Sequence, residues 1–264
     1  MTLRSKRLFL FDFDGVLATG ILEWEEEVLG GYRIFSELRR RRLDYAILGS
    51  GSNWSTYEIW SYLRGMGFML EVNQVWIAAR VAAYYLKSML GSSRCLVVGE
   101  EGLVKELKSN GHKVVKNWRG ADALVVGHDR FLSFKKLTNA LRAINNPDTH
   151  FIAVNKVRWY YSARSGPILS PGAIVAMLEF QSGREATVVG KPSLIHFKTV
   201  MDFFGRGPEE TVMIGDSIDA DIKPAKELGL STVLVSSVER WERRRGDMNA
   251  DLVVNHVDDL VNYL

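Results

Sequence analysis

The chain has 264 residues, 47% hydrophobic and 25% charged, the balance of one or two globular domains with a full core. Lys and Arg total 34 against 31 Asp plus Glu, a formal charge of +3, which does not mark a nucleic-acid binder, since that needs a clustered basic face. A single cysteine, Cys95, excludes an intrachain disulfide and a multi-cysteine metal site, and no stretch approaches the roughly 20 apolar residues of a membrane helix.

Short apolar runs recur along the chain, each closed by a turn signal. The first, 8–11, stops at Asp12, and a helix is predicted over 32–43. The run 45–48 stops at Gly49-Ser50-Gly51, followed by predicted helices over 54–66 and 75–90. Runs at 96–98, 123–126 and 151–154 alternate with predicted helices at 102–109, 133–144 and 172–181. A helix over 194–204 precedes the run 211–214, which stops at Gly215-Asp216. A helix over 218–228 then leads to the run 232–235. Continuous apolar strands of this kind suit a parallel sheet covered on both faces, and the alternation with helices gives an α/β architecture.

The N-terminus is basic (Arg4, Lys6, Arg7), but its apolar run is cut at Asp12, too short for a signal peptide. Cys95 lies in an apolar run and reads as a buried strand residue. A cytoplasmic protein in a reducing compartment is therefore expected. Arg39 to Arg42 and Arg243 to Arg245 are consecutive arginines. Neighbouring helix residues point in different directions, so these runs read as solvated helix faces and not as a nucleic-acid contact. The five histidines have no metal-ligand spacing.

Three motifs carry chemistry. In Phe11-Asp12-Phe13-Asp14-Gly15, carboxylates at i and i+2 of an extended segment point to the same side. At the carboxyl end of a strand in an open α/β sheet they face the ligand crevice; the bland alternative is one capping and one turn aspartate. In Gly215-Asp216-Ser217-Ile218-Asp219-Ala220-Asp221, a helix cap explains one polar residue but not three carboxylates, and hard cations such as Mg²⁺ favour clustered oxygen ligands. In Val189-Gly190-Lys191-Pro192, a lysine sits between a strand and a Pro-started helix, beside a positive helix terminus.

Asp-Phe-Asp-Gly-Val-Leu at 12–17, Gly-Lys-Pro-Ser at 190–193 and Gly-Asp-x-x-x-x-Asp at 215–221, in that order, resemble the haloacid dehalogenase superfamily. Residues 97–102, 123–129 and 171–179 resemble its NagD-like, para-nitrophenylphosphatase subgroup. The resemblance implies a Rossmann-like core, 1–75 and 184–264, with an inserted α/β cap, 76–183. It implies a Mg²⁺-dependent phosphatase that hydrolyses a small phosphomonoester, such as a sugar phosphate, phosphoglycolate or a nucleotide, with no membrane or nucleic-acid partner and with a homo-oligomer possible.

Carried over by position, Asp12 matches the nucleophile and Asp14 the general acid and base. Asp12, the Asp14 carbonyl and Asp216 match the metal ligands, and Asp221 the second acid of the last motif. Lys191 matches the phosphate-binding lysine. These five side chains are expected to meet at one rim of a single sheet. The second motif departs from the family pattern: Gly49 stands in the Thr slot, unless a shift of one residue makes Ser50 the phosphate-binding hydroxyl. Main-chain N–H groups around Ser50 and Gly51 are the expected phosphate cradle. A phosphate-binding scaffold with little catalysis is the alternative this departure leaves open. In the cap, Asn155, Lys156 and Arg158 are candidates for reading the leaving group. Trp159, Tyr160 and Tyr161 either join them or pack the cap or a subunit contact.

Overall fold

In chain order, the computed structural model contains strands β1 (Leu8–Asp12), β2 (Ala18–Thr19) and β3 (Glu27–Val28), helix α1 (Tyr32–Arg40), β4 (Asp44–Gly49), α2 (Thr56–Gly65), β5 (Val75–Ile77) and α3 (Ala78–Leu90). Next come β6 (Arg94–Val98), α4 (Glu101–Ser109), β7 (Lys113–Val115), β8 (Ala123–Val126), α5 (Phe134–Ile144), β9 (His150–Ala153), β10 (Trp159–Ser162), β11 (Gly166–Leu169), α6 (Pro171–Ser182) and β12 (Thr187–Val188). The chain closes with α7 (Leu194–Phe204), β13 (Thr211–Gly215), α8 (Lys223–Glu227), β14 (Ser231–Val235) and β15 (Leu252–Val254). The structure describes residues 2–19, 27–162, 166–236 and 250–264; the arginines at 243–245 lie outside them.

Two compact units share these elements. The first holds Met1–Gly49, Trp60–Trp76 and Phe197–Leu264; the second holds Ser50–Ile59 and Ile77–His196. The core and cap expected from the resemblance differ in their boundaries from these units at 50–59, 76 and 184–196.

The first unit is built on a six-stranded sheet in the order β15-β14-β13-β1-β4-β5. Here β1 lies parallel between β13 and β4, with Phe11 opposite Ile214 and Ile47. Leu8 to Phe11 and Val212 to Ile214 are almost fully excluded from solvent, which accounts for strands that read as unbroken apolar runs. Aromatic side chains fill one side of the sheet: Phe35 meets Phe11 edge-on at 5.0 Å and stacks on Tyr45 at 5.0 Å. The arginine run at the end of α1 is engaged locally. Arg40 and Arg41 both bond Glu37, and the Arg39 guanidinium donates to the Met69 carbonyl; the two guanidinium groups hold the Glu37 carboxyl down to about 2.

The second unit has its own five-stranded sheet, β12-β9-β8-β6-β7, parallel throughout. Cys95 lies in β6, fully buried, and burial pushes its thiol up. Strands β10 and β11 form a separate antiparallel hairpin. Ser55 opens α2 with a capping box: its N–H and hydroxyl both donate to Glu58, each at 2.7 Å, and the Glu58 N–H returns to the Ser55 oxygen at 3.3 Å. Glu106, from α4, accepts the Thr56 N–H at 2.5 Å and is itself buried.

Burial raises the Glu106 carboxyl above its ordinary range, against the opposing pull of the Thr56 N–H. An acid whose pKa is higher folded than unfolded contributes stability below the unfolded value and loses it as pH rises through the folded one. Glu106→Gln keeps the acceptor and removes the titration. Its stability relative to the parent is therefore expected to improve from pH 5 to pH 8, as read by urea unfolding at both values. A difference independent of pH would count against a buried, titrating Glu106.

Two expectations are corrected by the backbone. Val75 to Ile77 form a strand where the helix was expected to start, because Val-Trp-Ile favours an extended chain and the helix begins at Ala78-Ala79. Residues 218–222 form a π-turn ahead of α8. Both the Asp221 and Ile222 N–H groups bond the Ser217 carbonyl, at 3.0 and 3.2 Å, and Pro224, with no N–H, follows where a regular ladder would need one. Among the described residues no helix is long and apolar enough to cross a membrane.

Candidate active site

Two strand ends of the first sheet carry the acids. β1 ends on Asp12, and the chain turns at once. Gly15 has φ 88°, a conformation open to glycine, and the Leu17 and Ala18 N–H groups return to the Phe13 carbonyl. The Phe13 N–H donates to the Asp12 Oδ1 at 2.7 Å, which fixes the carboxylate's direction. Asp14, two residues on, is exposed.

The neighbouring strand β13 ends on Gly215, followed by Asp216. The Ser217 hydroxyl accepts the Ala220 N–H at 3.1 Å and opens the π-turn. That wide turn folds Asp221 back toward the strand, where its Oδ2 accepts the Ser217 N–H at 3.2 Å and the residue is fully buried. Asp221 packs directly on Gly215: a Cβ at Gly215 would overlap the Asp221 Cβ and stand 2.5 Å from its Cγ and Oδ2. Glycine is required here for space and not for its backbone angles.

The result is a cluster. One carboxylate oxygen from each of Asp12, Asp216 and Asp221 lies within 4.8 Å of the others. Two unit charges 4 Å apart repel by about 4 kcal/mol at an effective dielectric of 20, so three such carboxylates favour a cation among them. The donors are all hard oxygens, the chemistry that suits Mg²⁺ and not a soft metal. The residues present therefore fit a hard divalent ion.

A second group gathers in the other unit. Ser50 and Gly51 leave β4 as an exposed loop. The Ser50 carbonyl accepts the Asn155 side-chain amide at 2.9 Å, and the Gly51 carbonyl accepts the Ala79 N–H at 3.3 Å. Ser52 turns inward, and its hydroxyl accepts the His128 N–H at 2.9 Å. Asn155 is buried and Arg158 exposed, while Lys156 is half-exposed and ion-paired to Glu179 at 2.7 Å. A cavity of about 570 Å³ is bounded by Lys156, Arg158, Val157, Ala176 and Ser193, among others. Tyr160 lies in β10 beside His128, with ring centroids 6.2 Å apart; Trp159 is exposed, and the Tyr161 side chain is outside the described positions.

Lys191 is buried, and its N–H donates to the His196 Nδ1 at 3.3 Å. It departs from the expectation of a single sheet. It follows β12, which pairs with β9 in the five-stranded sheet, whereas the three clustered acids leave the six-stranded one. Gly190, before it, lies so close to the Val154 carbonyl that a side chain has no room.

Sequence reasoning singled out the acids but missed what holds them. Gly215 gave no signal beyond a turn residue. Asn155 was noted as a reader of substrate, and its bond to Ser50 spans 105 positions of sequence.

Carboxylates at adjacent carboxyl-terminal strand ends of a parallel sheet place a potential cation site in the crevice where open α/β proteins bind their ligands. Comparison with known proteins gives the family. A model of haloacid dehalogenase-like hydrolases matches residues 9–113, and a HAD-hydrolase-like model matches 188–260. The dihydroxyacetone phosphatase of Corynebacterium glutamicum is 30% identical over 260 residues, covering 96% of this chain and 90% of that protein. Mouse chronophin is 31% identical over 261 residues, covering 94% and 88%. The p-nitrophenyl phosphatase structure from Archaeoglobus fulgidus superimposes with a TM-score of 0.88 at 28% identity, covering 98% of this chain and 99% of that one. The chain belongs to the haloacid dehalogenase-like hydrolases and is a phosphatase among them.

Proposed function

We propose that this enzyme is a Mg²⁺-dependent phosphatase that hydrolyses a small phosphomonoester through an aspartyl-phosphate. The observation that carries the reading is the cluster of Asp12, Asp216 and Asp221 at the ends of β1 and β13. Relatives named for dihydroxyacetone phosphate and p-nitrophenyl phosphate hydrolysis support a small substrate.

In this reading Asp12 attacks phosphorus. Its carboxylate oxygen forms the new P–O bond as the ester oxygen leaves, dividing one difficult hydrolysis into two easier steps. Asp14, exposed on the turn after β1, gives its proton to the departing oxygen. It then takes a proton from the water that cleaves the acyl-phosphate. Asp12, the Asp14 carbonyl and Asp216 would hold Mg²⁺, with Asp221 behind them. When bound, the ion lowers the repulsion between the nucleophile and the phosphate dianion and stabilises charge on the transferring oxygens. Lys191 and the N–H groups at Ser50 and Gly51 bind the phosphoryl oxygens. Lys156 and Arg158, which border the cavity of the second unit, are the residues proposed to read the leaving group.

The test is release of p-nitrophenol from p-nitrophenyl phosphate with and without metal. EDTA is expected to lower the rate at least a hundredfold, and excess Mg²⁺ to restore it. Full activity in EDTA would remove the metal from the reaction. The absence of any metal-dependent release would leave the phosphate-binding scaffold as the better account.

A further inference from the structure

The buried amide of Asn155 does not open toward a substrate. Both of its ends are engaged within the second unit. Its Oδ1 accepts the Val157 N–H at 3.2 Å, and its Nδ2 donates to the Ser50 carbonyl at 2.9 Å. The first bond fixes which end of the amide faces Ser50, because only the nitrogen has protons to give. The Ser50–Gly51 peptide is trans, since the described chain has its one cis bond at Lys191-Pro192. In a planar trans peptide the N–H points opposite to the C=O. With the Ser50 carbonyl held inward by a buried donor, the Gly51 N–H is aimed outward, on a stretch where both Ser50 and Gly51 are exposed. The next carbonyl, that of Gly51, is held by the Ala79 N–H. A Gly51 side chain would meet only the Asn53 Oδ1, at 3.8 Å, so the space around the loop is open here. The Asn155 amide is the donor to the Ser50 carbonyl and so fixes the plane of the 50–51 peptide.

We infer that Asn155 is a positioning residue: by holding the Ser50 carbonyl it orients the Gly51 N–H as a donor to the phosphoryl group. The inference rests on the proposed phosphatase reading, and it gives Asn155 a role distinct from reading the leaving group. It also explains how a loop with glycine in place of the usual threonine can bind phosphate, through a main-chain donor fixed from outside the loop. Such donors act through preorganisation, and an aimed N–H is worth far more than one that must reorient.

Two variants test it, Asn155→Ala and the near-isosteric Asn155→Asp. The first removes the donor. The second sets a carboxylate oxygen against the Ser50 carbonyl and favours the flipped peptide. Thermal unfolding establishes the folded fraction. Inhibition by inorganic phosphate and hydrolysis of p-nitrophenyl phosphate are then measured per folded molecule. The inhibition constant for phosphate is expected to rise about tenfold in Asn155→Ala and further in Asn155→Asp, with kcat/KM falling in the same order. Folded variants with an unchanged phosphate constant would overturn the inference, and so would failure of both to fold, which would assign Asn155 to structure alone. If the parent enzyme neither hydrolyses the ester nor binds phosphate, the phosphatase reading itself fails. An active parent with unaffected variants removes only the role of Asn155.

Discussion

Asp12→Asn is expected to lower kcat for p-nitrophenyl phosphate by about 10⁴-fold or more while leaving the fold intact. The size follows from the two roles proposed for one side chain. As nucleophile, the carboxylate forms the bond to phosphorus, and an amide oxygen is far too weak a base to replace it; loss of a nucleophile elsewhere costs of this order or more. A factor of 10⁴ corresponds to about 5 kcal/mol of barrier. As metal ligand, the same group helps hold the ion.

Fold retention follows from the local geometry. The Asn Oδ1 can accept the Phe13 N–H as the Asp12 Oδ1 does, at 2.7 Å. Removing one charge from three carboxylates within 4.8 Å also relieves repulsion. In EDTA the variant is therefore expected to unfold at the same temperature as the parent or higher. Mg²⁺ should raise the parent's midpoint more than the variant's, because a ligand stabilises in proportion to its affinity for the folded state. The checks are kcat and thermal midpoints with and without Mg²⁺. A variant that keeps a tenth of the parent's activity would rule out Asp12 as nucleophile. One that unfolds far below the parent in EDTA would make Asp12 a structural residue.

The sequence showed most of the long strands and little of what lies at their edges. β1, β4, β6, β8, β9, β13 and β14 were legible because strands covered on both faces are written as unbroken apolar runs. β7 and β15 have three residues each, too few for any periodicity to develop. β5 was hidden by its neighbour, since Val75-Trp76-Ile77 continues the apolar face of the helix that follows. The acids were legible for a chemical reason: carboxylates gathered at the end of a buried strand are costly unless something binds them. Their supports were not. The contact of Gly215 with Asp221 depends on a π-turn, and the bond from Asn155 to Ser50 joins positions 105 apart. Neither leaves a mark in local composition. Lys191 was recognised by its motif, yet the motif does not say which sheet carries it.

Gly215→Ala separates the arrangement of the acids from their chemistry, because it changes no charge. Gly215 has no positive φ among the described glycines, so alanine suits its backbone. The obstacle is space. The new methyl would overlap the Asp221 Cβ and stand 2.5 Å from its Cγ and Oδ2. These atoms are not the free end of a flexible side chain. The Cβ is fixed by the π-turn, and the carboxylate is tied to the Ser217 N–H. Gly215 is itself paired in the sheet opposite Leu234, which leaves the turn as the part that must yield. Moving it outward draws Asp221 away from Asp12 and Asp216. Overpacking of this kind costs about 1–3 kcal/mol, a fall in midpoint of roughly 2–10 °C for a chain of this size. Displacing the acid by about 1 Å is expected to lower kcat about a hundredfold. Gly65→Ala is the control: it lies in α2 with nothing within 4 Å of the added methyl. It should be neutral or slightly stabilising and leave kcat unchanged. If Gly215→Ala matched that control in both midpoint and kcat, the packing of Asp221 on the end of β13 would not be what sets the geometry of the cluster.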